Sequence, residues 1–108
     1  MKKERRITSN IEFQSILQHK RHVSNGSFVI YFKQKKKDRS RIGISVSKKL
    51  GSAVDRNKIK RQVRMMLQEL FNVELSYDAI LMIRKGYLTN TYEVNVKLLE
   101  KLMNKVKL

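Results

Sequence analysis

The chain contains no cysteine. Disulfides and thiolate metal sites are therefore excluded, and the composition fits a reducing compartment, which makes the cytoplasm the expected location. Proline is absent as well, so no Pro-rich linker divides the chain. At 108 residues, one domain spanning 1–108 with one modest core is the expectation. No apolar run is long enough to span a bilayer. The N-terminal "MKKERRITSN" is basic but has no apolar segment behind it, so a secretory signal is not expected. No internal repeat is visible. Acidic residues are also scarce, 9 against 25 Lys plus Arg.

That imbalance leaves a formal net charge of +16 and a pI near 10.4, far more than solubility requires. Such an excess repels itself in the folded state, so a polyanionic partner is the economical explanation. Nucleic acid is the first candidate and a membrane surface its main rival. The hydrophobic fraction of 41% argues for a folded protein rather than a disordered basic tail.

Periodicity gives the elements. Ser9 and Glu12 have capping-box spacing, and Ile11, Phe13, Ile16 and Leu17 form an apolar stripe. A short helix is predicted over about Asn10 to Gln18. "HKRHVSNGS" follows as a connection, with Gly26 as its turn residue. "SFVIYFK", Ser27 to Lys33, reads as a strand, with Phe28, Ile30 and Phe32 on one face and Val29 and Tyr31 on the other. "RIGISVSK", Arg41 to Lys48, alternates Ile42, Ile44 and Val46 against Gly43, Ser45 and Ser47. The polar turn between these two strands predicts a hairpin. Ser52 and Asp55 again have capping-box spacing, placing a helix start near Ala53. Ile59, Val63, Met66, Leu67 and Leu70 form its buried stripe, and Asn57, Lys60, Arg61 and Arg64 fall opposite. "YDAILMIRK" from Tyr77 is apolar on both faces, as in a central strand. After Gly86, Asn90 or Thr91 caps a last helix that buries Val96, Leu99, Leu102, Met103 and Val106. The order helix, strand, strand, helix, strand, helix is a small α+β domain, one sheet with helices packed on it.

Few residues could perform hydrolysis. His19 and His22 are three apart, but no third ligand follows nearby, and surface or phosphate-contact roles fit them better than a metal pair. The nine acids (Glu4, Glu12, Asp38, Asp55, Glu69, Glu74, Asp78, Glu93, Glu100) form no pair suited to a two-metal nuclease. There is no phosphate-binding glycine loop and no nucleophile elbow. No catalytic or metal-ligating residue is assigned. The basic segments are more informative. "KKERR" opens the chain, and "KQKKKDR" forms a turn whose plain reading is a solvated loop. The helix from Arg56 to Arg64 adds planar Arg and Asn donors, which suit phosphates and base edges. Phe13 and Tyr31 are either core rings or the borders of a groove floored by Gly43, Ser45 and Ser47, where single-stranded nucleic acid could stack. Spacing leaves both readings open.

"RIGISVSKKLGSAVDRNKIKRQVR", Arg41 to Arg64, closely resembles the signature of the bacterial ribonuclease P protein subunit. "FQSIL" and "FVIYF" stand at the distances expected upstream. The resemblance implies an α/β sandwich like the second domain of ribosomal protein S5, with a mainly antiparallel sheet, three helices and an unusual left-handed βαβ crossover. It implies two RNA partners, the catalytic RNA of ribonuclease P and precursor tRNA, whose 5′ leader is removed. It implies that the RNA, with bound magnesium ions, does the hydrolysis; no cofactor is assigned to the protein, and neither DNA nor membrane is expected. The helix contacts to the catalytic RNA fall on Arg56, Asn57, Lys58, Lys60, Arg61 and Arg64. The leader cleft falls on Phe13, Leu17 and Tyr31, with Ser45, Ser47, Lys48 and Lys49 nearby. Arg5 and Arg6 resemble a basic N-terminal segment. Lys58 stands where many members have arginine, and Leu17 where an aromatic is common. The rival readings are a ribosomal-type RNA-binding protein without catalysis and a DNA-compacting basic protein.

Overall fold

Three capped helices and four strands account for most of the described residues. The computed structural model describes residues 6–7, 9–36, 39–70 and 75–107. Helix α1 spans Asn10–Gln18, and the Ser9 side chain accepts from Glu12 N at 3.5 Å. Only half of the predicted capping box forms there, because the Glu12 carboxylate is ion-paired with Arg41. Strand β1 is His22–Ser24, β2 is Phe28–Gln34 and β3 is Ile42–Ser45. A 3₁₀ turn over Lys48–Leu50 leads into helix α2, Ala53–Leu70. Here the capping box is complete: Asp55 N donates to Ser52 Oγ at 3.3 Å, and Ser52 N donates back to Asp55 Oδ2 at 3.1 Å. Strand β4 is Tyr77–Ile83, a second 3₁₀ turn covers Lys85–Thr89, and helix α3 is Tyr92–Met103, capped by Thr91.

The sheet order is β1-β2-β4-β3. β2 pairs antiparallel with β1 and with β4, whereas β3 pairs parallel with β4. This corrects the expected β2–β3 hairpin, because β4 is inserted between those two strands. The reason is burial. β4 is apolar on both faces, and all of its residues except Met82 are buried, so it takes an interior position, with a neighbour on each side and layers above and below. The true hairpin is β1–β2, and β1 lies inside the segment expected to be only a connection. β3 is also shorter than predicted, ending at Ser45 rather than Lys48.

On one face of the sheet α2 and α3 cover Phe28, Ile30, Phe32, Ile42, Ala79, Leu81 and Ile83 through Ile59, Val63, Met66, Leu67, Leu99 and Leu102. Each of these side chains larger than Ala79 contributes about 1.5–3 kcal/mol by leaving water, so this layer dominates stability. On the other face α1 forms a smaller cluster of Ile7, Ile16 and Ile80 with Phe13, Leu17, Tyr31 and Met82 against it. The β1–β2 turn is pinned to α3. Asn25 Oδ1 accepts from Ser27 N and Phe28 N, and its amide donates to Leu98 O at 3.1 Å. Ser27 Oγ donates to buried Asn95 Oδ1 at 2.8 Å. Gly86 allows the closing approach, since a Cβ there would meet Gly26 O at 2.2 Å. No helix among the described residues is long and apolar enough to cross a membrane.

Candidate nucleic-acid interface

Strand register defines the site. Three rows of side chains run across the α1 face of the sheet. One row is Lys33–Asp78, and Arg41 N donates to Asp78 Oδ1 at 2.9 Å beside it. The next is His22–Tyr31–Ile80–Gly43, and the third is Ser24–Val29–Met82–Ser45. Helix α1 is clamped over the first row, with Glu12 ion-paired to Arg41 and Ser15 Oγ accepting from Lys33 Nζ at 3.0 Å. Its other flank carries Phe13 and Leu17, four residues apart, toward the second row.

Gly43 seats the Phe13 ring. A Cβ at Gly43 would stand 3.1 Å from Phe13 Cε2 and 2.9 Å from Ile80 Cδ1, so a side chain there would lift the ring away. Phe13, Leu17, Tyr31, Val29, Met82 and Ser45 are all half-buried. Helix α1 and the third row therefore enclose an open groove parallel to the helix, with aromatic, aliphatic and small polar groups in its lining. The predicted Phe13, Leu17, Tyr31 and Ser45 are brought together. Val29 and Met82 join them; the alternation placed Val29 on this face, but Met82 was concealed by the doubly apolar pattern of β4.

Ser47 does not floor the groove as expected. The chain has left the sheet by that point, and Ser47 Oγ accepts from Lys49 N at 3.2 Å to cap the 3₁₀ turn. Lys48 and Lys49 are exposed on this turn, beyond the β3 end of the groove.

Helix α2 supplies the second basic surface. Asn57, Lys58 and Arg61 are exposed; Arg56, Lys60 and Arg64 are half-buried. Among the described residues none of these cations is ion-paired, and the Arg56 Nε is buried without a hydrogen-bond partner. Uncompensated charge on a helix costs stability, so the surface is suited to an external anion. The six residues do not share one flank. At about 100° per residue, Lys58 stands roughly 120–160° round the helix from Lys60 and Arg64. It lines a depression of about 400 Å³ with Gln62, Tyr87 and Asn90 instead. Arg6 makes an isolated bridge to Ile42 at the β3 edge; Arg5 lies outside the described residues.

The carboxylates near these surfaces are committed to structure: Glu12 to Arg41, Asp55 to Ser52, Asp78 to the Arg41 amide. Among the described residues no three His, Cys, Asp or Glu converge as a metal seat. Tyr77 and Tyr87 are pushed up to about 12, the first by burial, the second by burial and then by neighbouring Tyr92. Both belong to the core rather than to the groove.

Fold and site together define a small, strongly basic α+β protein built to hold polyanions, with a groove on one sheet face and a cationic helix on the other. The ribonuclease P family model matches residues 1–107, and the chain belongs to that family. A ribonuclease P protein component from Mesoplasma florum is 45% identical over 105 residues, covering 95% of this chain and 96% of its own. The structure of the Staphylococcus aureus RNase P protein superposes with a TM-score of 0.85 at 39% identity, covering 93% of each chain. A mutant of the Staphylococcus aureus protein with defective mRNA degradation activity superposes at 0.87, with 39% identity, covering 94% of this chain and 87% of its own. Membership gives the chain a role in the ribonuclease P ribonucleoprotein and in tRNA processing.

Proposed function

We propose that this chain is the substrate-holding subunit of an RNA-based endonuclease. Helix α2 lies against the catalytic RNA through Arg56, Asn57, Lys60, Arg61 and Arg64, with Lys58 on its other flank. The groove along α1 takes the single-stranded 5′ leader of precursor tRNA. Magnesium ions held by the RNA and its substrate supply the hydrolytic chemistry. The protein's own part is binding: Phe13 and Tyr31 offer ring faces to bases, Leu17, Val29 and Met82 offer apolar contact, and Lys48 and Lys49 meet the phosphates at the β3 end. Stacking is tolerant of sequence because every base has a π face, which suits leaders of varied sequence.

The observation that carries this reading is the half-buried set of Tyr31, Phe13 and Met82 along an open groove, in a family of ribonuclease P proteins. The test is reconstitution with catalytic RNA and comparison of affinity for precursor and mature tRNA. Tyr31→Ala is expected to narrow the preference for precursor by about tenfold, within the range of one stacked base. An unchanged preference overturns the leader assignment.

A second reading is favoured by the Staphylococcus aureus mutant, described by a defective mRNA degradation activity. In that reading the polypeptide itself contributes to RNA breakdown. Incubating RNA-free protein separately with messenger RNA and with precursor tRNA distinguishes the two.

A further inference from the structure

The groove does not stop at Tyr31. Its second row continues onto β1, where His22 is the register partner of Tyr31 on the same face. The two rings are 5.2 Å apart between centroids and inclined at 38°. His22 is exposed, while Tyr31 is half-buried, so the histidine adds little to the core. Its ring is nevertheless held. His22 Nδ1 lies 3.3 Å from Lys20 O. That carbonyl only accepts, so Nδ1 carries the hydrogen and Nε2 is left for a ligand. The neighbouring residues sort by face. Arg21 turns away, over the Phe32 ring at 5.4 Å and donating to Lys107 O at 2.7 Å. His19 and Lys20 remain exposed beside His22.

We infer that His22 is the floor of one further nucleotide site, at the β1 end of the groove. The occupant is a single-stranded ribonucleotide whose base stacks on the His22 ring, with Lys20 placed for its phosphate. Four strands at ordinary spacing make the groove about 14 Å wide from β3 to β1, enough for a few nucleotides in extended form. The two ends are then alike: Lys48 and Lys49 stand at the β3 end, and Lys20 and His22 at the β1 end. The pinned β1–β2 turn keeps this three-residue strand in place.

The inference rests on the leader reading of the groove, and the experiment separates the two. Ribonucleoprotein is assembled with wild-type, His22→Ala, His22→Phe or Tyr31→Ala protein. Affinity is measured for precursors whose leaders either cross all four strands or end before β1. His22→Ala is expected to lose about tenfold on the long leader, the scale of one stacked base, and nothing on the short one. His22→Phe is expected to bind like wild type, which a purely ionic role for the imidazole would not allow. Equal losses on both leaders, no loss on the long one, or Phe as weak as Ala overturns the site. If Tyr31→Ala narrows precursor preference while His22→Ala is silent, only the β1 extension falls. If Tyr31→Ala is silent too, the leader reading falls with it.

Discussion

Tyr77 and Tyr87 show how differently two buried phenols can be placed. The Tyr87 hydroxyl donates to Gln62 Oε1 at 2.8 Å, whereas the buried Tyr77 hydroxyl has no hydrogen-bond partner among the described residues. An unpartnered hydroxyl gives up its water without return. Tyr77→Phe is therefore expected to be neutral or stabilising, by up to about 1 kcal/mol, and Tyr87→Phe to cost about as much by stranding the Gln62 carbonyl. Both phenols are raised from 10.0 to about 12 in the folded state. A raised folded value means that the neutral form is favoured in the fold. Their contribution is complete below about pH 10 and is lost as pH climbs toward 12. Denaturation midpoints across that interval should fall for the wild type and fall less for Tyr77→Phe. At this scale the sequence was informative where chemistry is local. Strand alternation and a capping box put Phe13, Tyr31 and Gly43 within reach of one groove but left a plain core equally open. The Met82 contribution could not be placed, because a strand apolar on both faces does not announce which residues meet a groove.

Helix α2 is the element whose pattern was most readable. Its 3.6-residue stripe, its Ser52–Asp55 box and its opposite basic flank all reappear in the structure. Repulsion among its cations is a cost that an RNA phosphate array would remove. Arg61 is exposed and unpaired among the described residues, so it is a clean probe. Arg61→Ala should weaken binding to the catalytic RNA and reduce the slope of log affinity against log salt by about one unit. A slope that does not move would place Arg61 outside the interface. The strands were less legible. β1 has three residues and exposed ends, too short for alternation to register. The pairing of β2 is not legible in the sequence, because a polar turn between two strands is equally compatible with a hairpin and with a strand inserted later from a distant segment.

The molecule as a whole is a sheet with unequal coverings. The thick layer of α2 and α3 supplies most of the buried apolar surface, and the thin layer of α1 leaves part of the other face uncovered. The main core is thus confined to one face, which lets the groove carry half-buried rings at little cost to it. The nearby carboxylates hold the scaffold rather than standing free for acid–base work. The isolated, RNA-free protein is accordingly expected to leave precursor tRNA intact, and addition of the catalytic RNA to restore cleavage at the leader junction. Site-specific scission by the polypeptide alone would refute this division of labour.

The central position of β4 also bears on how the chain is made. Its residues leave the ribosome after α1, β1, β2, β3 and α2, yet β2 and β3 meet each other only through it. Until Tyr77–Ile83 has emerged, the nascent polypeptide can close one short hairpin but cannot complete its sheet. The sheet therefore matures late in translation, and any polyanion lying near the exit tunnel would meet an unfinished, strongly cationic chain before a folded one.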